Sequence, residues 1–264
     1  MNIYLYELRK RALTTLIWAL SVSAFVLMYF SFFEAFSDNA MLELLDDFPD
    51  AMLKAFGLDA DISTVMGFFG AVVAFVVLVA SIYACSLGIN IVSEEERDLT
   101  ADFLIPKPVT RTTILSAKIL AGLTQILVFT ALTAAASVAS IELFRGDHGY
   151  SIQVFALVYL GVFLLELLFF SMGLLVSVSA RRLDSPFPFS FGIPVGFFIL
   201  NSFDTLLQDT FLRFLIPYDY FNAARIVESS SLKTYGVVVS AILVALFTAG
   251  TFVLYRRRNI ATAM

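Results

Sequence analysis

Residues 65–92 read VMGFFGAVVAFVVLVASIYACSLGINIV and contain no charged side chain. A membrane-spanning helix needs about 20 predominantly apolar residues to cross a hydrocarbon core of roughly 30 Å. This stretch exceeds that length, and other apolar stretches of the chain reach it or come close to it. They occupy residues 13–33, 119–141, 152–180, 187–203 and 236–254. The sequence therefore predicts an all-α polytopic membrane protein with six transmembrane helices.

The composition excludes several other classes of protein. Of the 264 residues, 59% are hydrophobic and only 15% are charged, whereas soluble domains average about 25% charged. Disorder requires low hydrophobicity, and a disulfide scaffold requires more than the single Cys85. His148 is the only histidine, which excludes a haem or zinc site built from several histidines.

Basic residues predict the orientation of the spans, because loops on the cytoplasmic side of a membrane are enriched in Lys and Arg. With both termini inside, twelve of the 17 Lys and Arg residues lie on the cytoplasmic side. The acidic residues divide the opposite way, with fourteen outside, seven inside and Glu166 within the fourth span. We therefore expect cytoplasmic N- and C-termini. The basic residues form no single clustered face, so nucleic-acid binding is not expected.

No polar stretch is long enough to form a separate soluble domain, and residues 1–264 are expected to form one transmembrane domain. Residues 1–12 predict an amphipathic helix at the membrane interface, and residues 34–64 predict an external amphipathic loop. Residues 204–235 predict an external hairpin that re-enters the outer leaflet. The fifth span contains prolines, and we expect it to be bent or irregular at its start.

The cytoplasmic segment 93–118 reads SEEERDLTADFLIPKPVTRTTILSAK. Ser93 and the glutamate three residues later match a capping box, which predicts that a new helix begins there. Pro106 and Pro108 end this helix, and Thr110 then caps another helix that runs through Lys118 into the third span. In an alternative interpretation, the second span continues unbroken to Leu104.

This segment resembles the cytoplasmic segment of ABC-2 type ABC transporter permeases. In that family, an acidic-Arg cluster, a short helix, a Pro-Val-Ser/Thr-Arg turn and a Ser-x-Lys join the second and third spans. The order of parts is similar along nearly the whole chain, although Asp98-Leu99-Thr100 stands where the family often has Gly-Thr. The resemblance implies a multi-pass protein of the cell membrane with the ABC-2 (type V exporter-like) permease architecture, similar to multidrug and peptide-antibiotic exporters.

The resemblance also implies that a partner supplies the chemistry. Such permeases pair as homo- or heterodimers and dock on cytoplasmic ABC ATPase subunits, which bind the ATP and Mg. No G-x-x-x-x-G-K-[ST] motif occurs in this chain, so we expect no cofactor and no enzymatic activity in the chain itself. Segment 93–118 would couple it to the ATPase, with apolar anchors for affinity and charges for steering. The candidate coupling residues are Glu95, Glu96, Arg97, Leu99, Phe103, Pro106, Pro108, Val109, Arg111 and Lys118.

Glu166 is the only acid within a span. Because a carboxylate at the bilayer centre costs several kcal/mol, Glu166 should face protein or water, or be protonated. One interpretation places Glu166 and Asn201 on the transport path, and the other is an interhelical hydrogen bond to Gln125 or Asn201. The expected function is outward movement of a hydrophobic or amphipathic substrate. The alternative is an ion-gradient-driven secondary transporter or channel, which would favour several intramembrane charges.

Overall fold

The structure, a computed structural model, describes residues 2–37, 62–97, 110–180, 185–207 and 216–257. These parts of the chain form nine helices and no strand. The helices are α1 (Ile3–Phe30), α2 (Phe33–Ser37), α3 (Val65–Arg97), α4 (Arg111–Phe144), α5 (Ile152–Ser179), α6 (Phe187–Leu207), α7 (Pro217–Tyr220), α8 (Ala223–Ser229) and α9 (Thr234–Arg257).

Side chains that accept hydrogen bonds mark where the long helices begin. Asn2, Thr110 and Ser151 are the N-caps of α1, α4 and α5, and each side chain accepts a bond from a backbone N–H in the first turn. Such caps satisfy amide groups that have no partner within the helix. The predicted cap at Thr110 is confirmed.

Five helices, α1, α3, α4, α5 and α9, are long and apolar enough to cross a membrane. The fifth predicted span corresponds to α6, whose apolar part is shorter, Phe187–Ser202. In the most apolar 18-residue stretch of each helix, 67% is buried inside the protein in α3 and in α5, against 11% in α9. The helices α3 and α5 therefore form the centre of the bundle, and α9 lies at its periphery.

The two central helices approach so closely that their backbones touch through glycine. A Cβ atom built on Gly88 of α3 would lie 2.3 Å from the Phe170 carbonyl oxygen of α5. A Cβ atom on Gly173 would lie 2.4 Å from the Cys85 carbonyl oxygen. Only glycine fits at such distances, as is typical of close helix contacts within membranes. This contact fixes the register of the central pair.

The two ends of the bundle can be told apart by contacts between distant parts of the chain. At one end, which we call the loop end, α3 finishes and α4 begins, and the Arg111 guanidinium lies 3.5 Å from the Arg256 carbonyl oxygen of α9. At the other, the hairpin end, a Cβ atom on Gly70 near the start of α3 would lie 3.7 Å from Ala224 of α8. The helices α7 and α8, which lie within the predicted hairpin, are thus at the hairpin end.

Several predicted boundaries change in the structure. The capping box at Ser93 is wrong, since α3 continues unbroken through Arg97 and the Ser93 hydroxyl donates to the Ile89 carbonyl oxygen instead. A hydroxyl inside a helix commonly bonds to the carbonyl four residues earlier. This supports the alternative of an unbroken second span as far as Arg97.

The first predicted span is continuous with the predicted N-terminal helix, because α1 runs without a break from Ile3 to Phe30. The helix α6 is also regular at its start, although it contains proline. Pro188 occupies the first turn, where no N–H is required, and Pro194 is the proline inside the helix. Most of the predicted external loop 34–64 lies outside the described residues.

Candidate coupling site

A cluster of charged side chains joins α1, α3 and α4 at the loop end. We call it the charge cluster, and it consists of Glu7, Lys10, Arg11, Glu94 and Lys118. Glu7 and Arg11 are four residues apart on one face of α1, and the Arg11 Nε atom lies 3.2 Å from Glu7 Oε2. On α3, Glu94 Oε2 lies 2.5 Å from an Arg11 nitrogen and 3.2 Å from Lys10 Nζ.

Lys118 completes this cluster from the interior of the protein. Its side chain and that of Glu7 are nearly inaccessible, with 1% and 2% of each residue exposed. The Lys118 Nζ atom lies 3.6 Å from Glu7 Oε1 and donates to the Ile91 carbonyl oxygen at 2.8 Å. A buried ammonium group requires both a counter-charge and hydrogen-bond acceptors. Glu7 supplies the counter-charge, and the Ile91 carbonyl oxygen accepts the hydrogen bond.

A polar contact lies deeper in the bundle, on the side of the charge cluster towards the hairpin end. The Thr15 hydroxyl of α1 lies 2.9 Å from the Tyr83 hydroxyl of α3 and 2.6 Å from Gln125 Oε1 of α4. The Gln125 amide nitrogen donates to the Leu8 carbonyl oxygen at 2.8 Å. The same three helices are therefore joined twice, once by ions and once by neutral groups.

A small cavity of about 50 Å³ lies between these two sets of contacts. Arg11, Thr15, Tyr83 and Asn90 contribute polar groups to its wall. Its volume is sufficient for a few water molecules, since the centre of one water molecule needs about 10–15 Å³ of free space. The cavity belongs to the connection between α1 and α3 and is too small for a hydrophobic or amphipathic substrate.

The coupling residues predicted from the sequence fall into three groups. Glu95, Glu96 and Arg97 are in the last turn of α3, and the backbone there is helical. Arg111 is the first residue of α4 and is exposed. The remaining predicted anchors and turn residues lie outside the described residues, and these are Leu99, Phe103, Pro106, Pro108 and Val109.

Lys118 requires a correction. As a candidate salt-bridge partner of an ATPase it would have to be accessible, yet its ammonium group is buried against Glu7 within the chain. The pattern of α4 explains the difference, because the buried positions of this helix include Ile114, Leu115, Lys118, Ala121 and Gly122. Spacings of three and four residues place Lys118 on the packed face of the helix.

Glu7 and Glu94 are members of the charge cluster that the sequence analysis did not select. A signal for Glu7 was present, because Glu7 and Arg11 have the spacing of an intrahelical ion pair. Glu94 belongs to a run of acidic residues that reads as a solvated surface. Its position against α1 depends on how the helices pack, which its neighbours in sequence do not indicate.

The two candidate residues for a transport path lie in different helices, Glu166 in α5 and Asn201 in α6. Glu166 is buried and its carboxyl group bonds to the Thr130 hydroxyl of α4. The interhelical bond that the second interpretation predicted is therefore present, but with Thr130 as partner. Gln125 instead bonds to Thr15 and Leu8, as described above.

A second charged cluster lies at the hairpin end. Asp219 of α7 is only 3% exposed. Its carboxylate bonds to the Arg225 guanidinium of α8 and accepts a bond from the Tyr235 hydroxyl of α9 at 2.9 Å. The Lys233 ammonium group lies 4.0 Å away. Asp219 thus holds the two short helices of the predicted hairpin against the start of α9.

This arrangement predicts a dependence of stability on pH. Burial alone would raise the pKa of Asp219, but the bonds and charges of Arg225, Tyr235 and Lys233 hold that pKa below its ordinary value of 3.8. A lowered pKa in the folded state stabilises the fold above pH 3.8, and this contribution is lost as the pH falls through the folded-state pKa. Asp219→Asn is therefore expected to lower the free energy of unfolding by about 1–3 kcal/mol at neutral pH.

Thermal unfolding of the detergent-solubilised protein as a function of pH checks this prediction. The difference between the wild type and Asp219→Asn should shrink at acidic pH. Glu228→Gln, an exposed change in α8, is the control and should leave unfolding unchanged. A difference between wild type and Asp219→Asn that stays constant down to acidic pH would contradict the proposed role of the ionised carboxylate.

The long apolar helices, joined by buried polar contacts, define a multi-pass protein of the cell membrane. The chain belongs to the ABC-2 family transporter proteins, whose family model matches residues 1–260. The resemblance seen in the sequence is thereby confirmed, and the chain is a transmembrane permease component of an ABC transporter. Permeases of this family are not themselves the ATPase and normally work with an ATPase subunit. No curated protein matches the chain significantly.

Proposed function

We propose that this chain is the membrane-spanning subunit of an ATP-driven exporter, which moves a hydrophobic or amphipathic substrate outward while a separate subunit hydrolyses ATP. The charge cluster is the observation that carries the proposal beyond family membership. It joins α1 to the two helices that flank segment 98–109, namely the end of α3 and the start of α4. A partner that moves this segment would therefore move the first span as well.

The proposed topology has six crossings, with both termini in the cytoplasm. Phe69 stacks on Phe155 near the starts of α3 and α5, and Gly173 meets Cys85 nearer their ends, so α5 runs parallel to α3 and ends at the loop end. Ala224 of α8 lies at the hairpin end, beside Gly70. These positions support a crossing of the bundle between the two points, which we assign to α6. Its 21 residues extend over about 30 Å at roughly 1.5 Å per residue.

The positions of the ion pairs indicate how movement of segment 98–109 would pass to the membrane helices. Segment 98–109 connects α3 directly to α4, and the charge cluster lies only a few residues inside each of these helices. Because Glu7 and Lys118 are buried, their attraction is weakened little by solvent or salt. The cluster therefore keeps α1, α3 and α4 together, and a push on the segment is transmitted as movement of these helices rather than absorbed by a flexible joint.

The experiment that tests the proposal is co-purification with an ABC ATPase subunit encoded beside this permease. Leu99→Ala combined with Phe103→Ala removes two of the three candidate apolar anchors of segment 98–109, the third being Val109. We expect at least a tenfold loss of ATPase capture, about 1.4 kcal/mol or more. ATP-driven transport should fall equally, because the pair lies where the partner docks.

The matched control is Arg145→Ala, the partly exposed C-cap residue at the opposite end of α4, which should leave capture unchanged. A gradient of protons or sodium that drives transport by the purified permease without ATP would overturn the proposal and support a secondary transporter. Equal capture by the wild type and the Leu99/Phe103 variant would reject segment 98–109 as the docking site. A second permease subunit, either identical or different, completes the proposed assembly.

A further inference from the structure

The buried contact between Glu166 and Thr130 offers too few hydrogen-bond donors for an ionised carboxylate. Glu166 is 1% exposed, and its Oε2 atom bonds to the Thr130 hydroxyl oxygen. Its other carboxyl oxygen, Oε1, is buried and has no hydrogen-bond partner among the described residues. A carboxylate accepts hydrogen bonds at both oxygens and cannot donate. This environment therefore suits an ionised carboxylate poorly.

The Thr130 hydroxyl has a second neighbour that limits what it can do. Its oxygen also lies 2.9 Å from the Ile126 carbonyl oxygen, one helical turn earlier in α4. A hydroxyl carries one proton and can donate only one full hydrogen bond. Since the Ile126 carbonyl can only accept, both contacts are satisfied together if Thr130 donates to Ile126 and accepts from Glu166. Glu166 must then carry the proton.

The charged groups around Glu166 do not change this conclusion. None of the ion pairs in the described part of the chain includes Glu166. Among the residues that the structure describes, the titratable groups close enough to interact with its charge are the phenols of Tyr83 on α3 and Tyr159 on α5, which are neutral at physiological pH. Tyr83 bonds to Thr15, and Tyr159 donates to the Thr133 carbonyl oxygen. A negative charge on Glu166 would therefore be buried without compensation.

We propose that Glu166 is a proton-binding site, a neutral carboxylic acid at neutral pH that donates to Thr130 and joins α4 to α5. The bound ligand is the proton itself. Within the described residues, this contact joins Glu166 to the neighbouring helix, and if the proton left, Thr130 could keep the contact only by giving up its bond to the Ile126 carbonyl. This inference concerns the permease alone and does not depend on docking of an ATPase.

Infrared spectroscopy of the full-length permease in phospholipid nanodiscs tests the site, with the spectrum of Glu166→Gln subtracted from that of the wild type. At neutral pH the wild type should show the carbonyl stretch of a protonated carboxylic acid, and this band should shift in D₂O. The band should be absent from Glu166→Gln, an isosteric change that cannot bind the proton. A difference spectrum that contains only the stretches of an ionised carboxylate would overturn the proposal.

Changes at Thr130 provide a second measurement that leaves Glu166 in place. Thr130→Val removes the acceptor and is expected to shift the acid band to higher frequency, because the acid loses its hydrogen bond. Thr130→Ser retains the hydroxyl and should leave the band where it is. If Glu166→Gln fails to fold, this pair still decides the question, since an acid band that is missing or insensitive to Thr130→Val contradicts the assignment.

Discussion

Gly88→Ala and Gly173→Ala should each destabilise the protein strongly, although alanine usually stabilises a helix by about 0.5–1 kcal/mol relative to glycine. The new Cβ atoms would lie 2.3 Å and 2.4 Å from carbonyl oxygens of the facing helix. Those oxygens belong to backbone in the centre of the bundle and cannot move without separating α3 from α5. We expect a loss of about 1–3 kcal/mol or more, which is the usual cost of overpacking.

The chain contains its own matched control for this prediction. Gly192 and Gly196 of α6 form a G-x-x-x-G pattern, yet a Cβ atom on either would meet nothing within 4 Å among the described residues. Gly192→Ala should therefore leave the melting temperature unchanged or raise it. The measurement is thermal unfolding in detergent, with the yield of monodisperse protein as a second readout. Equal melting temperatures for Gly88→Ala and Gly192→Ala would contradict the close contact of α3 and α5.

Glu7→Gln is the second change with a large expected effect. It takes the Glu7 carboxylate away from the buried Lys118 ammonium group, and Arg11 loses a partner as well. Breaking a buried ion pair by removing one member commonly costs about 3–5 kcal/mol. We expect Glu7→Gln to lower the melting temperature and to uncouple α1 from α4, so that ATP hydrolysis by a bound ATPase subunit drives less transport.

A double substitution separates the charge from the packing. Replacing both members, Glu7→Gln with Lys118→Met, removes both buried charges of this pair, and stability should largely return. Transport should stay low if the ions themselves transmit movement. The surface pair of Glu142, which is exposed, and Arg145, which is partly exposed, provides the control, because Glu142→Gln should leave unfolding unchanged. A single Glu7→Gln variant as stable as Glu142→Gln would refute the role assigned to the charge cluster.

The sequence predicted the elements of this fold better than their boundaries. Long apolar stretches indicated the helices because lipid offers no hydrogen bonds to the backbone, which must therefore satisfy its own polar groups. Thr110 was also predictable, since an N-cap depends only on neighbouring residues. The prediction at Ser93 was wrong because serine followed three residues later by glutamate also occurs inside a continuous helix. Only the path of α3 distinguishes the two cases.

The candidate site was predictable in part. Residues 93–118 were selected through resemblance to the family, and the structure adds that both flanking helices are tied to α1 by ions. Lys118 was assigned to the docking surface through the Ser-x-Lys of the family, and lysine side chains are mostly exposed in proteins. Its burial depends on a carboxylate from α1, which is distant in sequence and reaches it only when the helices pack.

By itself, the sequence determined the class of the protein, the helical content and the family, because these depend on local composition and on motifs. Only the tertiary structure decided which polar groups meet inside the bundle, namely Glu7 with Lys118 and Glu166 with Thr130. It also decided that Gly88 and Gly173, rather than Gly192 and Gly196, allow two helices to touch. The physical reason is that each contact joins helices far apart in sequence, whose facing sides are set by packing.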